Sequence, residues 1–136
     1  MTEVTKERLK AAALEARLAA YSPYSDCLVG AALLCSDGTV FTGSNIENSS
    51  FGATVCAERT ALFTAVHGGH REFLCLAVAG QKDDAVSPFY PCGICLQTLS
   101  EFCGAEMPVL VAVAQDEWTE TTLGNLLPHS FSLGDK

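Results

Sequence analysis

Two short fragments far apart in the chain, Cys56-Ala57-Glu58-Arg59 and Pro91-Cys92-Gly93-Ile94-Cys95, set the strongest condition on how it folds. Cys-x-x-Cys alone is a weak signal, shared by redox dithiols and structural zinc sites. A third cysteine, with a glutamate two residues beyond it, narrows the reading. Three sulfurs can hold a metal while one corner stays open, and the fold must then bring residue 56 beside residues 92 and 95.

The remaining cysteines do not suggest a disulfide framework. There are seven in 136 residues, an odd number, and Met1-Thr2-Glu3-Val4 lacks the basic-then-apolar pattern of a secretory signal. No apolar run approaches the roughly 20 residues of a membrane span, so a cytoplasmic location without membrane contact is expected. Cys27, Cys35, Cys75 and Cys103 read as small apolar core residues. The formal charge of -8, from 8 basic against 16 acidic residues, disfavours a phosphate backbone as ligand. A small, weakly charged substrate suits this surface better than a nucleic acid.

Hydrophobic residues at 49% and a length of 136 fit a single globular domain spanning residues 1–136. Good helix formers fill Thr5 to Tyr21, with Leu14, Leu18 and Tyr21 as the expected apolar face. Leu28 to Cys35 and Val40 to Asn45 read as strands joined by an Asp37-Gly38 hairpin turn. A helix is expected from Thr54 to His67, and a strand from Phe73 to Ala79. Gln81 to Pro91 reads as a loop. A second helix opens at Pro91 or Cys92 and ends at Gly104, before a strand from Val109 to Ala114. This alternation predicts a three-layer α/β/α domain with a mixed, roughly five-stranded sheet.

Both cysteine fragments then fall at helix starts. Free backbone N–H groups and the positive end of the helix dipole offset thiolate charge there, and Arg59 adds a full cation. Catalytic Zn²⁺ keeps three protein ligands and an open position. Cys56, Cys92 and Cys95 are therefore the expected ligands. Glu58 is too close in sequence to Cys56 to be a comfortable fourth ligand, and is placed to move protons. Three cysteines with a non-ligand glutamate is a pattern of zinc deaminases. Three other readings compete. A structural four-ligand site could recruit Cys75, Cys103, His67 or His70. A redox dithiol would need only Cys92 and Cys95, and Cys56 and Cys95 could also be plain buried thiols.

Beyond these fragments, the chain resembles the small homotetrameric cytidine deaminases along nearly its whole length. The likeness lies in Ser22-Pro23-Tyr24-Ser25, Val29-Gly30-Ala31-Ala32, Asn45-Ile46-Glu47-Asn48, Cys56 to Ala61, Pro91 to Cys95 and Leu126 to Phe131. The resemblance implies zinc-dependent hydrolysis of cytidine or deoxycytidine to the uridine form plus ammonia. It also implies a homotetramer whose active sites are completed by neighbouring subunits. Asn45 and Glu47 would bind the ribose hydroxyls, since residues two apart on a strand share a direction; without the metal motif they would read as a strand end and a solvated carboxylate. Ala57 matches the position whose backbone contacts the base. Phe131 matches the aromatic that reaches a neighbour's pyrimidine, with an apolar anchor for the tail as its other reading.

The chain departs from the family pattern at four places. Cys27 stands where a phenylalanine usually packs on the base, and Phe51 stands where a tyrosine usually reaches the sugar. Leu96 replaces an arginine, which leaves Arg59 to balance the thiolates. Ser87 to Tyr90 lengthens the loop before Cys92, with Tyr90 where serine is common. A roomier pocket near Cys27 makes a deaminase of N4-modified cytosine nucleosides, or of a cytosine-containing antibiotic, the alternative within the class. A non-catalytic structural-zinc module is the alternative outside it.

Overall fold

The structure is a computed structural model and describes residues 1–134. Helix α1 (Glu3–Ala16) starts where the Thr2 side chain accepts a hydrogen bond from the Thr5 amide at 3.1 Å. It is shorter than expected, because a tight turn at Arg17–Ala19 breaks the helical phase. The buried stripe is Leu9 and Ala13, one helical turn apart; Leu18 and Tyr21 are exposed, contrary to the expected face.

Strand β1 (Cys27–Cys35) turns at Asp37-Gly38 into β2 (Val40–Ser44), with Leu34 opposite Val40 and Gly30 opposite Ser44. Gly38 adopts φ +91°, and the Asp37 carboxylate accepts from the Thr39 amide at 3.0 Å, as a tight hairpin requires. Helix α2 (Ala57–His67) begins three residues later than Thr54. Val55 exchanges backbone hydrogen bonds with Ile46, which holds the chain extended up to Cys56. Strand β3 (Phe73–Lys82) hairpins into β4 (Ala85–Ser87), so part of the expected loop at 81–91 is a short strand. Helix α3 (Gly93–Ser100), strands β5 (Pro108–Ala114) and β6 (Glu117–Thr122), and the single turn α4 (Leu123–Leu126) complete the order. α3 opens as expected after Pro91, but stops at Ser100 rather than at Gly104.

The sheet runs β2-β1-β3-β5-β6, with β4 paired to β3 beyond the stretch that meets β5. It is mixed: β3 and β5 are parallel, and the other pairs are antiparallel. Its six strands bear out the α/β expectation, with one strand more than the rough count. Alternate residues serve two cores. Ala32, Leu34, Cys75, Ala77 and Leu110 meet Leu9 and Ala13 of α1. Ala31, Leu33, Leu76, Val78, Val109 and Val111 meet Ala57, Ala61 and Leu62 of α2 and Leu96 and Leu99 of α3. Among the described residues no helix is long and apolar enough to cross a membrane.

Helix α2, which carries half of the motif, lies unusually close to the sheet. A Cβ at Gly43 of β2 would fall 2.5 Å from the Ala61 amide nitrogen and 2.6 Å from the Ala57 carbonyl oxygen. Both are backbone atoms and have no rotamer to yield. Gly43→Ala is therefore expected to lower the unfolding free energy by about 3 kcal/mol. Gly52→Ala, at a position with nothing within 4 Å of the added carbon, is the control and should shift it by less than about 0.5 kcal/mol. Urea midpoints of the two variants check this.

Candidate metal centre

Cys56 and Cys92 are the N-cap residues of α2 and α3, both with extended backbone and neither side chain spent on capping. Cys95 lies in the first turn of α3. Because α2 packs beside α3 on one face of the sheet, the three sulfurs meet. Cys56 Sγ is 3.7 Å from Cys92 Sγ, which is 3.6 Å from Cys95 Sγ, and all three lie within 4.8 Å of one another. All seven cysteines are free.

The spacing fits zinc. Ligands at about 2.3 Å with tetrahedral angles put sulfurs about 3.8 Å apart. Among the described residues no fourth Cys, His, Asp or Glu joins the group. The other potential ligands have different settings. Cys75 is fully buried against the α1 face, and Cys103 is buried in the opposite core. His70 faces the hairpin turn, with Nε2 3.1 Å from the Asp37 carboxylate.

Arg59, in the first turn of α2, donates from Nε to Cys95 Sγ and from Nη2 to Cys56 Sγ, each at 3.4 Å. Two sulfurs thus share one guanidinium fork. The Cys56 thiol is brought down to about 5, through pairing with Cys95 first, with Arg59 and Cys92 adding and burial opposing. Cys95, the other half of that pair, is pushed up. Leu96 is buried in the core and brings no cation to the cluster.

Glu58 is only 4% exposed. Burial raises its carboxyl to about 7, and the neighbouring Cys56 adds to the effect. It lines a cavity of about 250 Å³ together with Cys27, Asn45, Glu47, Cys56, Ala57 and Cys92. A carboxyl that changes protonation near neutrality, in the same cavity as Cys56 and Cys92, can carry protons in either direction.

Asn45 and Glu47 lie beyond the end of β2, so strand geometry alone does not align them. The bridges of Ile46 to Tyr21 and Val55 keep the stretch extended, and Ile46 points outward while both neighbours point in. Asn45 Oδ1 accepts from the Val29 amide at 2.8 Å, and its Nδ2 donates to the Cys27 carbonyl at 2.9 Å. Glu47 accepts from the Tyr24 and Ser25 amides at 2.9 and 3.1 Å, and from the Ser25 hydroxyl. The Ser25 hydroxyl is the largest reason its carboxyl is held below the ordinary 4.5.

Two expected substrate residues lie outside this cavity. Phe51 is exposed in a shallow recess with Tyr24, Glu47 and Thr54. Phe131 is exposed, its backbone bound to the Gln97 side chain. Sequence reasoning missed Phe89, which lines the cavity with Tyr90. The only signal for it was the lengthened loop.

Residues 3–111 match the family model for the cytidine and deoxycytidylate deaminase zinc-binding region. The chain is 49% identical over 129 residues to the cytidine deaminase of Sporosarcina psychrophila, covering 95% of this chain and 93% of that one. The cytidine deaminase of Halalkalibacterium halodurans is 46% identical, with 90% and 91% covered. In three dimensions the chain superposes on the crystal structure of cytidine deaminase from Burkholderia pseudomallei with TM-score 0.85 and 44% identity, covering 96% and 100%. The crystal structure of the Mycobacterium tuberculosis enzyme gives TM-score 0.75 and 37% identity, with 94% and 98% covered.

Cys56, Cys92 and Cys95 offer three sulfurs to a metal, and removing one leaves two. Cys92→Ala is expected to lose most of its zinc on dialysis, while the native chain retains about one ion, as three-ligand sites do. Elemental analysis per chain measures this, and equal zinc in both would contradict the ligand set.

Proposed function

Because the chain belongs to the cytidine and deoxycytidylate deaminase family, we propose that it hydrolyses cytidine and deoxycytidine to the uracil nucleosides and ammonia. The observation that carries this reading is the buried Glu58 carboxyl in one cavity with Cys56 and Cys92, two of three clustered sulfurs that no further Cys, His, Asp or Glu joins among the described residues. When bound, zinc supplies Lewis acidity that brings the pKa of water down to about 7.

The chain's own groups do the rest. Glu58 takes a proton from the attacking water and delivers it to ring N3 as the oxygen joins C4. It then takes the proton of the new C4 hydroxyl and hands it to the amine. The C4–N bond breaks, ammonia leaves, and the ring is left with a C4 carbonyl and an N3 proton. Arg59 holds the charge of Cys56 and Cys95 and fixes their orientation. The Ala57 backbone, at the first turn of α2, contacts the base.

Asn45 and Glu47 hold the sugar. Their present hydrogen bonds fix both side chains and leave capacity over. One Nδ2 hydrogen of Asn45 and part of the Glu47 carboxylate remain for the two hydroxyls of a ribose. Phe51 and Phe131 serve a neighbouring subunit's site in a homotetramer. Support comes from the exposure of both rings and from their position outside the chain's own cavity. A single-domain cytoplasmic enzyme of pyrimidine salvage is the setting that fits these features. Phe89, seated against Gly80 opposite Val29, adds a ring to the cavity wall and takes up space there, which favours the unsubstituted base over N4-modified ones.

Glu58→Gln should retain zinc and lose about 10²–10⁴ in turnover. Absorbance assays on cytidine, deoxycytidine and N4-methylcytidine, with ammonia release as the second readout, test the reading. Near-native turnover in the variant removes the proton-transfer role. Bound zinc with no activity on any aminopyrimidine would instead favour a structural-zinc module.

A further inference from the structure

Several of the residues lining the cavity are small, among them Cys27, Val29 and Ala57. In the antiparallel register of β1 and β3, Val29 lies opposite Gly80 and Cys27 opposite Lys82. Gly80 is in phase with Leu76 and Val78, so a side chain there would project toward the face that α2 and α3 cover. That space is already taken. A Cβ at Gly80 would lie 2.3 Å from Cδ1, 2.4 Å from Cγ and 2.7 Å from Cβ of Phe89. The Phe89 ring thus sits in the notch left by a missing side chain on β3, half-buried, and it also forms part of the cavity wall.

The other apolar lining residues, Cys27, Val29, Val55 and Ala57, present no ring, and Tyr90 is half exposed. A pyrimidine base offers two flat π faces, and an aromatic ring is the surface that stacks on one. We propose that Phe89 is the base-stacking residue of this chain, and that Gly80 is the positioning residue that seats it. The assignment rests on the nucleoside-deaminase reading. It places the aromatic wall on the loop between β4 and α3, while Cys27 on β1 contributes only a small thiol.

The test compares the native enzyme with Phe89→Leu, Phe89→Tyr, Gly80→Ala and Gly80→Ala/Phe89→Leu, in zinc-loaded form. KM and kcat for cytidine are measured, together with Kd for the product uridine by calorimetry. Losing one base–aromatic stack corresponds to roughly 5- to 150-fold. Phe89→Leu, which fills the notch without a π face, should raise KM and the uridine Kd together by about tenfold, with kcat changed by less than about threefold. Phe89→Tyr, which keeps a π face, should lose much less than Phe89→Leu.

Gly80→Ala should copy Phe89→Leu, because the ring is displaced. Adding it to Phe89→Leu should cost much less than it does alone, since the two act through one contact. Native KM and uridine Kd in Phe89→Leu overturn the stacking role. A full, independent penalty for Gly80→Ala on the Phe89→Leu background overturns the seating role. Absence of cytidine turnover in the native enzyme would instead defeat the deaminase reading itself.

Discussion

The structure depends on two helix N-termini meeting at one point. Cys56 and Cys92 cap α2 and α3, and their sulfurs converge only if both helices lie on the same face of the sheet with their first turns side by side. That arrangement concentrates negative charge, and three local features oppose it. They are the free N–H groups of two first turns, the helix dipoles, and the guanidinium of Arg59, which bridges Cys56 and Cys95. The same arrangement buries Glu58. It sits two residues past Cys56 on a helix packed closely on β2 at Gly43, and its carboxyl is largely shielded from water in the cavity it shares with Cys56 and Cys92.

The polar end of the cavity follows a different logic. Asn45 and Glu47 are each held by backbone partners from the segment 24–29, so they belong to the scaffold as much as to the cavity wall. Such groups reach a ligand already oriented, and little conformational entropy remains to be lost on binding. The apolar wall is looser in origin. It depends on a loop ring resting on the sheet, and loops that carry binding residues on a rigid scaffold are where related chains diverge.

What could be read from residues alone varied with the range of the interaction involved. The Asp37-Gly38 turn, the buried strands and the starts of α2 and α3 follow from local chemistry, and the structure has all of them to within a few residues. β6 escaped notice because Glu117-Trp-Thr-Glu-Thr-Thr122 is a half-exposed edge with no apolar alternation, and β4 because it is only three residues long. On α1 the expected face holds at Leu14, which packs against the Leu9 and Ala13 core, and fails at Leu18 and Tyr21, because the helix stops at Ala16 and residues beyond it do not keep its phase.

By itself, the sequence picked out the groups of a candidate metal centre: three thiols, a glutamate and an arginine at spacings that suit helix starts. These spacings act over single turns, where backbone geometry is the same in every protein. Only the tertiary structure decided which residues wall the cavity. Phe89 reaches it because Gly80 is empty of a side chain, and because β3 lies in register with β1. Neither condition is local, since both depend on how distant strands pair, and that is fixed by packing of the whole sheet.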